Sequence, residues 1–404
     1  MSSRPLNGVK VLDLSRVLAG PWCTQLLADL GADVVKIERP GAGDDTRHWG
    51  PPWHEAGGER VAAYFLAANR GKKSVALDFS REEGAALLRR MAGKADVLVE
   101  NYRVGGLAKY GLDTDSLRAE NPALITCSIT GFGQDGPYAE RAGYDYIIQA
   151  MGGMMSLTGL PDGEPGGGPL RVGVAIADLF TGLYAANAIQ AALVERAQTG
   201  EGAAIDMSLF DTQLAVLANQ ATNAMVSGTD PGRVGNSHPN IVPYQPFQAA
   251  DQPLVIAVGN DRQFARLAAI CGHPEWTEDE RFATNSARVA NRVAIVAKVG
   301  AVIADAPADE WMEKLLDAGI PAGPINSVSE ALSDPQAVHR GARQERSGGR
   351  LGVVPTVGSP VRIGGSRCDA ALPPPGLGEH TEEILRDWMS SDEIETLRKE
   401  GVIG

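Results

Sequence analysis

Cysteine and metal-binding patterns are scarce in this sequence. The four cysteines, at positions 23, 127, 271 and 368, stand far apart in the 404 residues, and none belongs to a C-x-x-C or Cys/His ligand spacing. Disulfide frameworks and zinc sites both depend on such spacing. We therefore expect neither, and we predict reduced, buried thiols.

Long apolar runs and an excess of positive charge are also missing. No apolar stretch approaches the ~20 residues that a membrane span requires, and residues 1–5 lead into a predicted strand without the apolar core of a signal peptide. We expect a cytoplasmic protein that makes no membrane contact. The net charge of -13 argues against a nucleic-acid-binding surface, so an anionic ligand must meet a local group of cations.

The apolar pattern that is present predicts an α/β fold. Val9–Ser15 and Asp33–Glu38 are typical of buried strands, and Gly20–Ala32 between them is typical of a helix. Further strands are predicted at Ser74–Phe79, Val97–Asn101 and Leu124–Thr130. This alternation indicates a doubly wound, largely parallel sheet, whose ligands bind beyond the carboxyl ends of the strands.

Two glycine patterns exclude common cofactor sites. No G-x-G-x-x-G follows the first strand, where the sequence is VLAGP, so a dinucleotide site has little support. The glycine-rich segment 161–169 lacks a following Lys-Ser/Thr and is predicted to be a loop rather than a phosphate cradle.

Turn-forming segments divide the chain into three parts. Ser227–Phe247 and Gly319–Asn326 are both rich in glycine, proline and polar residues. We predict a first part of the large domain at 1–226, a linker and small domain at 227–326, and a return segment at 327–404. The small domain is predicted to contain a strand at Leu254–Gly259 and a helix at Asp261–Cys271.

A single carboxylate, Asp178, interrupts an otherwise apolar run from Pro169 to Gly202. Leu170–Ala175 resembles a short buried strand, and the residues from Leu179 onward recur at helical spacing, so Asp178 is placed at a helix start. There it would serve as an N-cap or as a carboxylate nucleophile. The two roles are compatible, since free N–H groups at a helix start stabilise an anion.

Eight cations within about the first quarter of the chain lie mostly just after strand-like segments. They are Lys36, Arg39, Arg47, Arg70, Lys72, Lys73, Arg103 and Lys109. Individually such residues are typical of a solvated surface. Their shared placement at strand ends favours an anion-binding site.

Several separated motifs together resemble the family III CoA-transferases, also called the CaiB/BaiF family. They begin with VLDLSRVLAGPWCTQLLADLGADVVKIERPGAGDDTR at Val11 and include NRGKKSVALDF, ADVLVENYRVGGLAKYGL, the Asp178 segment, IVPYQPF, GIPAGPIN and PPPGLGEHTEEIL. The pattern is most similar to members that use succinyl-CoA and dicarboxylates. The resemblance implies a large Rossmann-like domain, a smaller inserted α/β domain and an interlocked homodimer whose crossing arms lie near Ser227 and Gly319.

The resemblance also implies roles for individual residues. Asp178 matches the catalytic aspartate, which carries CoA as an aspartyl thioester. Coenzyme A is then a part of the substrate, and no permanently bound cofactor or metal is needed. CoA-binding positions are implied at Arg16, Val17, Leu18, Arg39, Lys72, Lys73, Asn101, Tyr102 and Lys109. Each has an ordinary alternative as a surface cation, a core aliphatic residue or a turn-closing Asn.

Two other functions were weighed against CoA transfer. Racemases of the same family carry a G-H-D motif that supplies a second acid/base group, but this chain has Tyr144 at the histidine position, and a phenol is a poor base near neutral pH. A protein that only binds acyl-CoA would have no use for a costly carboxylate in its pocket. The glycine gate of oxalate-using relatives has no counterpart, so we predict a dicarboxylate acceptor, such as glutarate, itaconate or mesaconate, near Tyr144 and His238.

Overall fold

The computed structural model describes residues 4–404. Residues 1–3, which belong to the predicted segment 1–226 and to the amino-terminal stretch without a signal-peptide core, lie outside the described residues. The strands are Lys10–Asp13, Asp33–Glu38, Trp53–Ala56, Glu59–Ala62, Lys72–Ala76, Val97–Glu100, Ile125–Thr130, Ala204–Ser208, Tyr244–Gln248, Pro253–Ala257, Ala322–Pro324, Arg343–Arg346, Val354–Val357, Arg362–Ile363 and Ser366–Arg367. The α-helices are Ala19–Asp29, Ala63–Ala67, Glu82–Ala92, Thr114–Glu120, Asp145–Met151, Met154–Leu157, Ile176–Thr199, Leu209–Val216, Asn219–Ser227, Asp261–Ile270, Asn285–Ala290, Arg292–Ile303, Ala308–Asp317, Val328–Ser333, Pro335–His339, Thr381–Leu385 and Ser391–Lys399. Short 3-10 turns lie at Asp45–His48, Ala108–Tyr110 and Pro274–Thr277.

The chain forms two compact units. The first contains the described residues up to Met154, with Val172–Ser227 and Pro335–Gly404; the second contains Met155–Arg171 and Gly228–Asp334. The grouping of 155–171 with the second unit differs from the predicted boundaries. Arg233 explains it, because its side chain donates to the Leu160 carbonyl at 3.2 Å and forms an ion pair with Asp162.

The first unit is built on a six-stranded sheet in which every strand pair is parallel. The strand order across the sheet is Lys72–Ala76, Asp33–Glu38, Lys10–Asp13, Val97–Glu100, Ile125–Thr130, Ala204–Ser208. In chain order this is 3-2-1-4-5-6, the Rossmann arrangement, so the predicted mixed α/β fold with a parallel sheet is confirmed. The order reverses between Lys10–Asp13 and Val97–Glu100, and ligands of such sheets bind beside that switch point.

Both faces of this sheet are covered by apolar side chains. Val97, Val99 and Cys127 point to the face on which helices Ala19–Asp29 and Ile176–Thr199 pack, and Leu98 and Val35 point to the opposite face. Successive strand residues alternate between faces, which is why continuous apolar runs mark these strands in the sequence. The two helices approach closely at Gly182, where a Cβ atom would lie 2.6 Å from the Ala19 carbonyl oxygen.

The second unit has its own core. Its three-stranded antiparallel sheet places Pro253–Ala257 between Tyr244–Gln248 and Ala322–Pro324. Phe264, Trp276, Phe282 and Trp311 are buried with aliphatic residues against it. The strand predicted at Leu254–Gly259 and the helix predicted at Asp261–Cys271 are present with slightly different ends.

One predicted strand is wrong, and one strand of the six-stranded sheet was missed. Leu170–Ala175 forms no ladder, and Leu170 and Val174 are 53% and 56% exposed. The run is apolar, but no strand pairs with it. The missed strand, Ala204–Ser208, pairs with Ile125–Thr130 at the sheet edge; its exposed, alternating AIDMS sequence lacks the continuous apolar run used to find strands.

Two further observations concern the whole chain. Among residues 4–404, no helix combines the length and apolar character needed to cross a membrane. All four cysteines are buried thiols.

Candidate active site

The loop that follows the first strand lies at the switch point and is fixed by side chains from other segments. The Arg16 N–H donates to Asn101 Oδ1 at 2.8 Å, and Asn101 Nδ2 donates back to the Arg16 carbonyl at 2.6 Å. The Val17 N–H donates to Asp44 Oδ1 at 3.2 Å. Asn101 thus holds the neighbouring strand end in register with this loop.

Val17 has a backbone conformation that its residue type disfavours. Its φ is +71°, in the left-handed region that costs a β-branched residue free energy. The hydrogen bonds from Asn101 and Asp44 on either side hold it there. Strain of this kind is concentrated at functional loops, and Val17 lines the cavity that contains Asp178.

A network of buried ion pairs packs against the loop that follows the first strand. Lys72 Nζ lies 2.9 Å from Asp13 Oδ2, and Lys36 Nζ lies 3.0 Å from Asp44 Oδ2. Lys36 also donates to the Ser15 carbonyl at 2.7 Å. Burial disfavours the charged form of Asp13, but the charges of Lys72 and Lys36 outweigh this cost and hold its pKa below the ordinary value.

This network corrects the role expected for Lys72. Its side chain is fully buried and also donates to the Pro21 carbonyl and to Asn69 Oδ1, each at 2.9 Å. It therefore has no free donor for a phosphate of CoA. Lys73 is engaged elsewhere as well, because it forms an ion pair with Glu383 at 2.9 Å and lines none of the three cavities described below.

Asp178 lies in the first turn of the helix Ile176–Thr199, which we call the active-site helix. Ala175 is the N-cap residue, so the N-cap expected at Asp178 is wrong by three positions. The capping acceptor is Asp145, whose Oδ2 accepts from the Ala177 N–H at 2.8 Å and the Asp178 N–H at 3.4 Å. The helix-start donors that were expected to stabilise an oxyanion are therefore occupied by a carboxylate.

The carboxylate of Asp178 has an unusual environment. It is partly buried, and within residues 4–404 it accepts no hydrogen bond. Burial, together with the like charge of Asp145, raises its pKa from 3.8 to about 7. Burial and the charges of the same two carboxylates raise the pKa of Tyr64, which places that phenol close to both.

Asp178 lines a cavity of about 210 Å³ at the switch point. The same cavity is lined by six of the positions predicted from sequence, namely Arg16, Val17, Leu18, Asn101, Tyr102 and Tyr144. Arg103, Arg141, Asp145 and Trp49 complete its polar and aromatic wall. Residues far apart in sequence thus meet around the Asp178 carboxylate.

A second cavity of about 510 Å³ adjoins the first, and the two share Arg16, Asp45 and Tyr102. Arg39 and Lys109 line it, and neither has a carboxylate partner among the residues that the structure describes. The Arg16 guanidinium stacks over the Tyr102 ring at 5.1 Å and pairs with Asp45 at 3.2 Å. This larger cavity therefore offers two unpaired cations next to the Asp178 cavity, although four carboxylates also line it, namely Glu38, Asp44, Asp45 and Asp78.

A third cavity, of about 380 Å³, is lined by more carboxylates than cations. It shares Arg103 and Val104 with the Asp178 cavity, but Glu100, Asp113, Asp115 and Asp206 line it. Carboxylates repel phosphate groups, so this cavity is unsuited to the charged part of CoA.

His238 belongs to the second unit and is engaged locally. Its ring stacks on Tyr244 with 5.2 Å between centroids, and its Nδ1 accepts from the Asn240 N–H at 3.1 Å. These contacts suit a turn residue, and its predicted role toward the substrate stays a prediction.

Sequence reasoning missed three of the residues near Asp178. Asp145 follows Tyr144 directly in the segment that differs from the racemase motif, so an acid beside that position was the available signal. Tyr64 and Arg141 had no comparable signal, because only the folded chain brings them to this site. Arg103, which the sequence placed in the group of cations at strand ends, also lines the Asp178 cavity.

Known proteins identify this arrangement. The family model described as CoA-transferase family III matches residues 6–381. The chain belongs to this family. It is 50% identical over 402 residues to a succinate–glutarate CoA-transferase of Agrobacterium fabrum, with 98% of this chain and 97% of the relative covered. It is 44% identical over 404 residues to succinyl-CoA:glutarate CoA-transferase of Mus musculus, with 100% and 91% covered.

Solved structures agree with the fold. A CaiB/BaiF family protein from Brucella suis superimposes with a TM-score of 0.84 at 52% identity, covering 96% of this chain and 100% of that one. The enzyme is a CoA-transferase, and the resemblance seen in the sequence motifs is confirmed.

Proposed function

We propose that the enzyme moves CoA from succinyl-CoA to a small dicarboxylic acid by a covalent relay on Asp178. The carrying observation is the Asp178 carboxylate itself, which lines a cavity at the switch point and accepts no hydrogen bond from the described residues. Its oxygens are therefore free to attack the carbonyl carbon of a thioester. The names of the glutarate-using relatives support the choice of donor and acceptor.

The relay balances without a metal, an oxidant or a net proton transfer. An Asp178 oxygen attacks the thioester carbon, the C–S bond breaks, and CoA thiolate leaves a mixed anhydride. The thiolate then attacks the Asp178 carbonyl carbon, which releases succinate and gives an aspartyl-CoA thioester. The acceptor carboxylate attacks that thioester and expels the thiolate. The thiolate finally attacks the acceptor acyl carbon, which frees Asp178 and the new acyl-CoA.

The two adjoining cavities suit the two ends of an acyl-CoA. Arg39 and Lys109 would bind phosphates in the larger cavity, where neither forms an ion pair with a carboxylate of the described residues. The pantetheine would pass Arg16 and Tyr102, which both cavities share, and reach Asp178 along Val17 and Leu18.

Asp145 would set the reactivity of the nucleophile. A pKa of about 7 leaves a large ionised fraction of Asp178 at neutral pH while keeping the carboxylate more basic than an ordinary one. Asp145 also occupies the Ala177 N–H. That donor can serve a developing oxyanion only after Asp145 moves away.

We also propose that a second copy of the chain covers the exposed apolar side of the active-site helix. Leu183, Tyr184 and Val194 on this helix are 45%, 45% and 63% exposed, and Tyr146 and Ile147 nearby in the same unit are 56% and 46% exposed. A helix that is apolar around its circumference is normally buried. The homodimer would be interlocked, as the family resemblance implies.

The relay is tested with Asp178→Ala and Asp178→Asn. Both variants should fold, shown by circular dichroism, and both should lose CoA transfer. In the wild-type enzyme, incubation with succinyl-CoA and hydroxylamine should modify the peptide that contains Asp178. Full transfer activity in either variant would refute the mechanism.

The substrate class is tested with glutarate, itaconate, mesaconate, oxalate and carnitine at a fixed succinyl-CoA concentration, with CoA products read by mass spectrometry. A clear preference for oxalate or carnitine would reject the dicarboxylate assignment. Exchange of the α-proton of a 2-methylacyl-CoA without acyl exchange would instead favour a racemase.

The dimer is tested by light scattering and by mixing tagged with untagged protein. Interlocked chains should form no mixed dimers under native conditions and should form them after unfolding and refolding. Monomers in solution, or rapid native exchange, would contradict the proposal.

A further inference from the structure

The chain between Gly131 and Gly143 forms a loop whose ends are pressed together. A Cβ atom added to Gly131 would lie 2.4 Å from the Gly143 Cα, and one added to Gly143 would lie 2.2 Å from the Gly131 Cα. The Gly131 carbonyl accepts the Phe210 N–H at 3.0 Å, and the Gln134 N–H donates to Asp206 Oδ2 at 3.0 Å. Compact loops with joined ends are often functional.

This loop presents an arginine on an aromatic support. The Arg141 guanidinium lies 3.8 Å from the centre of the Tyr138 ring, and the Arg141 N–H donates to the Tyr138 carbonyl at 2.9 Å. Tyr138 packs edge-on against Phe132, with 5.5 Å between centroids, and Phe132 contacts Phe210. Stacking orders a guanidinium and leaves its edge donors free for a planar anion.

Arg141 lines the same cavity as Asp178 and has no carboxylate partner within residues 4–404. The other cations of this wall are engaged differently. Arg16 pairs with Asp45 at 3.2 Å, and Arg103 also borders the carboxylate-lined cavity. Among the arginines that line this cavity, Arg141 is therefore the one that stacks on an aromatic ring and has no carboxylate partner in the part of the chain that the structure describes.

A dicarboxylic acyl group brings a second negative charge into a cavity that already contains Asp145 and Asp178. That charge needs a cationic partner, since an unpaired buried carboxylate is costly. Each acyl group of the relay forms a mixed anhydride with the Asp178 carboxyl group in turn. One cation can therefore serve the distal carboxylate of the donor and of the acceptor.

Building on the proposed function, we propose that Arg141 binds the distal carboxylate of each dicarboxylic acyl group and sets the preference of the enzyme for dicarboxylates. Tyr138 is then a positioning residue, which orders the guanidinium without touching the substrate.

The test compares substrates that differ only in the distal group. Succinyl-CoA is compared with butyryl-CoA as donor, and glutarate with pentanoate as acceptor. In Arg141→Gln, kcat/KM for succinyl-CoA and glutarate should fall about 10- to 100-fold, while the values for butyryl-CoA and pentanoate should change less than about threefold. Arg141→Lys should recover part of the preference.

Three further variants separate this role from a structural one. Glu140→Gln changes a charge on the same loop outside the cavity lining and should keep the dicarboxylate preference. Tyr138→Phe should also keep it, whereas Tyr138→Leu should weaken it. The assignment would be overturned if Arg141→Gln lowered kcat/KM equally for all four substrates or left the dicarboxylate preference unchanged. It would also be overturned if Arg103→Gln, rather than Arg141→Gln, abolished that preference.

Calorimetric titration of glutarate into the enzyme separates this inference from the proposed function. Arg141→Gln should weaken glutarate binding, and Glu140→Gln should not. A wild-type protein that bound glutarate through Arg141 but transferred no CoA would overturn the proposed function and support the assignment. Glutarate binding that is equal in wild type and Arg141→Gln would overturn the assignment even in an active enzyme.

Discussion

The raised pKa of Asp178 predicts that the native enzyme is destabilised by the carboxylate that we propose as its nucleophile. In the folded chain the carboxyl group has a pKa of about 7, against an ordinary value of 3.8. Between these values the folded state holds a proton that the unfolded chain has already lost. Stability contributed by this group is therefore greatest at acidic pH, decreases as the pH rises from about 4 to about 7, and is constant above that range.

The size of the effect follows from the same shift. Each pKa unit corresponds to about 1.4 kcal/mol, so the raised pKa of Asp178 lowers the unfolding free energy by roughly 4 kcal/mol at pH 8 and by roughly 2 kcal/mol at pH 5, relative to a carboxyl group with an ordinary pKa. Asparagine has nearly the same shape and cannot ionise. Asp178→Asn should therefore be more stable than the wild type, and its advantage should grow by about 2–3 kcal/mol between pH 5 and pH 8.

The assay is urea unfolding of both proteins at pH 5, 6.5 and 8, followed by circular dichroism. Asp135→Asn, which removes an exposed carboxylate, is the control and should differ from the wild type by an amount that does not depend on pH. An Asp178→Asn advantage that is absent, or that is larger at pH 5 than at pH 8, would refute the reasoning.

Three other predictions follow from the site. The kcat/KM for donor acyl-CoA should rise through pH 7 and then level off. Asp145→Asn should move this rise to lower pH, because it removes the like charge beside Asp178. A rise that stays at the same pH would exclude Asp145 as a cause of the raised pKa of Asp178. Lys72→Met should lower the unfolding free energy by about 3–5 kcal/mol, which thermal melts would show. Arg39→Ala should mainly raise KM for donor acyl-CoA, which steady-state kinetics would show. Gly131→Ala should displace the loop from Gly143 and lower kcat/KM, while Gly232→Ala, where a Cβ meets no atom within 4 Å, should have no effect; a fully active Gly131→Ala would contradict the close contact.

The sequence predicted the parallel sheet because its evidence is local. Strands such as Asp33–Glu38 and Val97–Glu100 are buried on both faces, so they appear as continuous apolar runs whatever their partners are. The position of Asp178 was predictable for a related reason, since one carboxylate in an apolar run is visible without knowledge of the fold.

The roles of the individual cations were not predictable in this way. Lys72 and Lys109 both follow or begin strand-like segments, but the first is buried against Asp13 and the second borders the larger cavity. The difference depends on a carboxylate far away along the chain that strand register brings to Lys72. No residue adjacent to either lysine in the sequence indicates which group its side chain will contact.

The sequence by itself thus determined five of the six strands of the parallel sheet, the place of Asp178 in an apolar run, and the family, because each depends on short patterns along the chain. Only the tertiary structure decided that Asp145 caps the active-site helix, that Asn101 holds the Arg16 backbone and that Arg141 stacks on Tyr138 beside the Asp178 cavity. These contacts depend on packing between segments, and packing fixes which polar groups meet, lose water and change their pKa values.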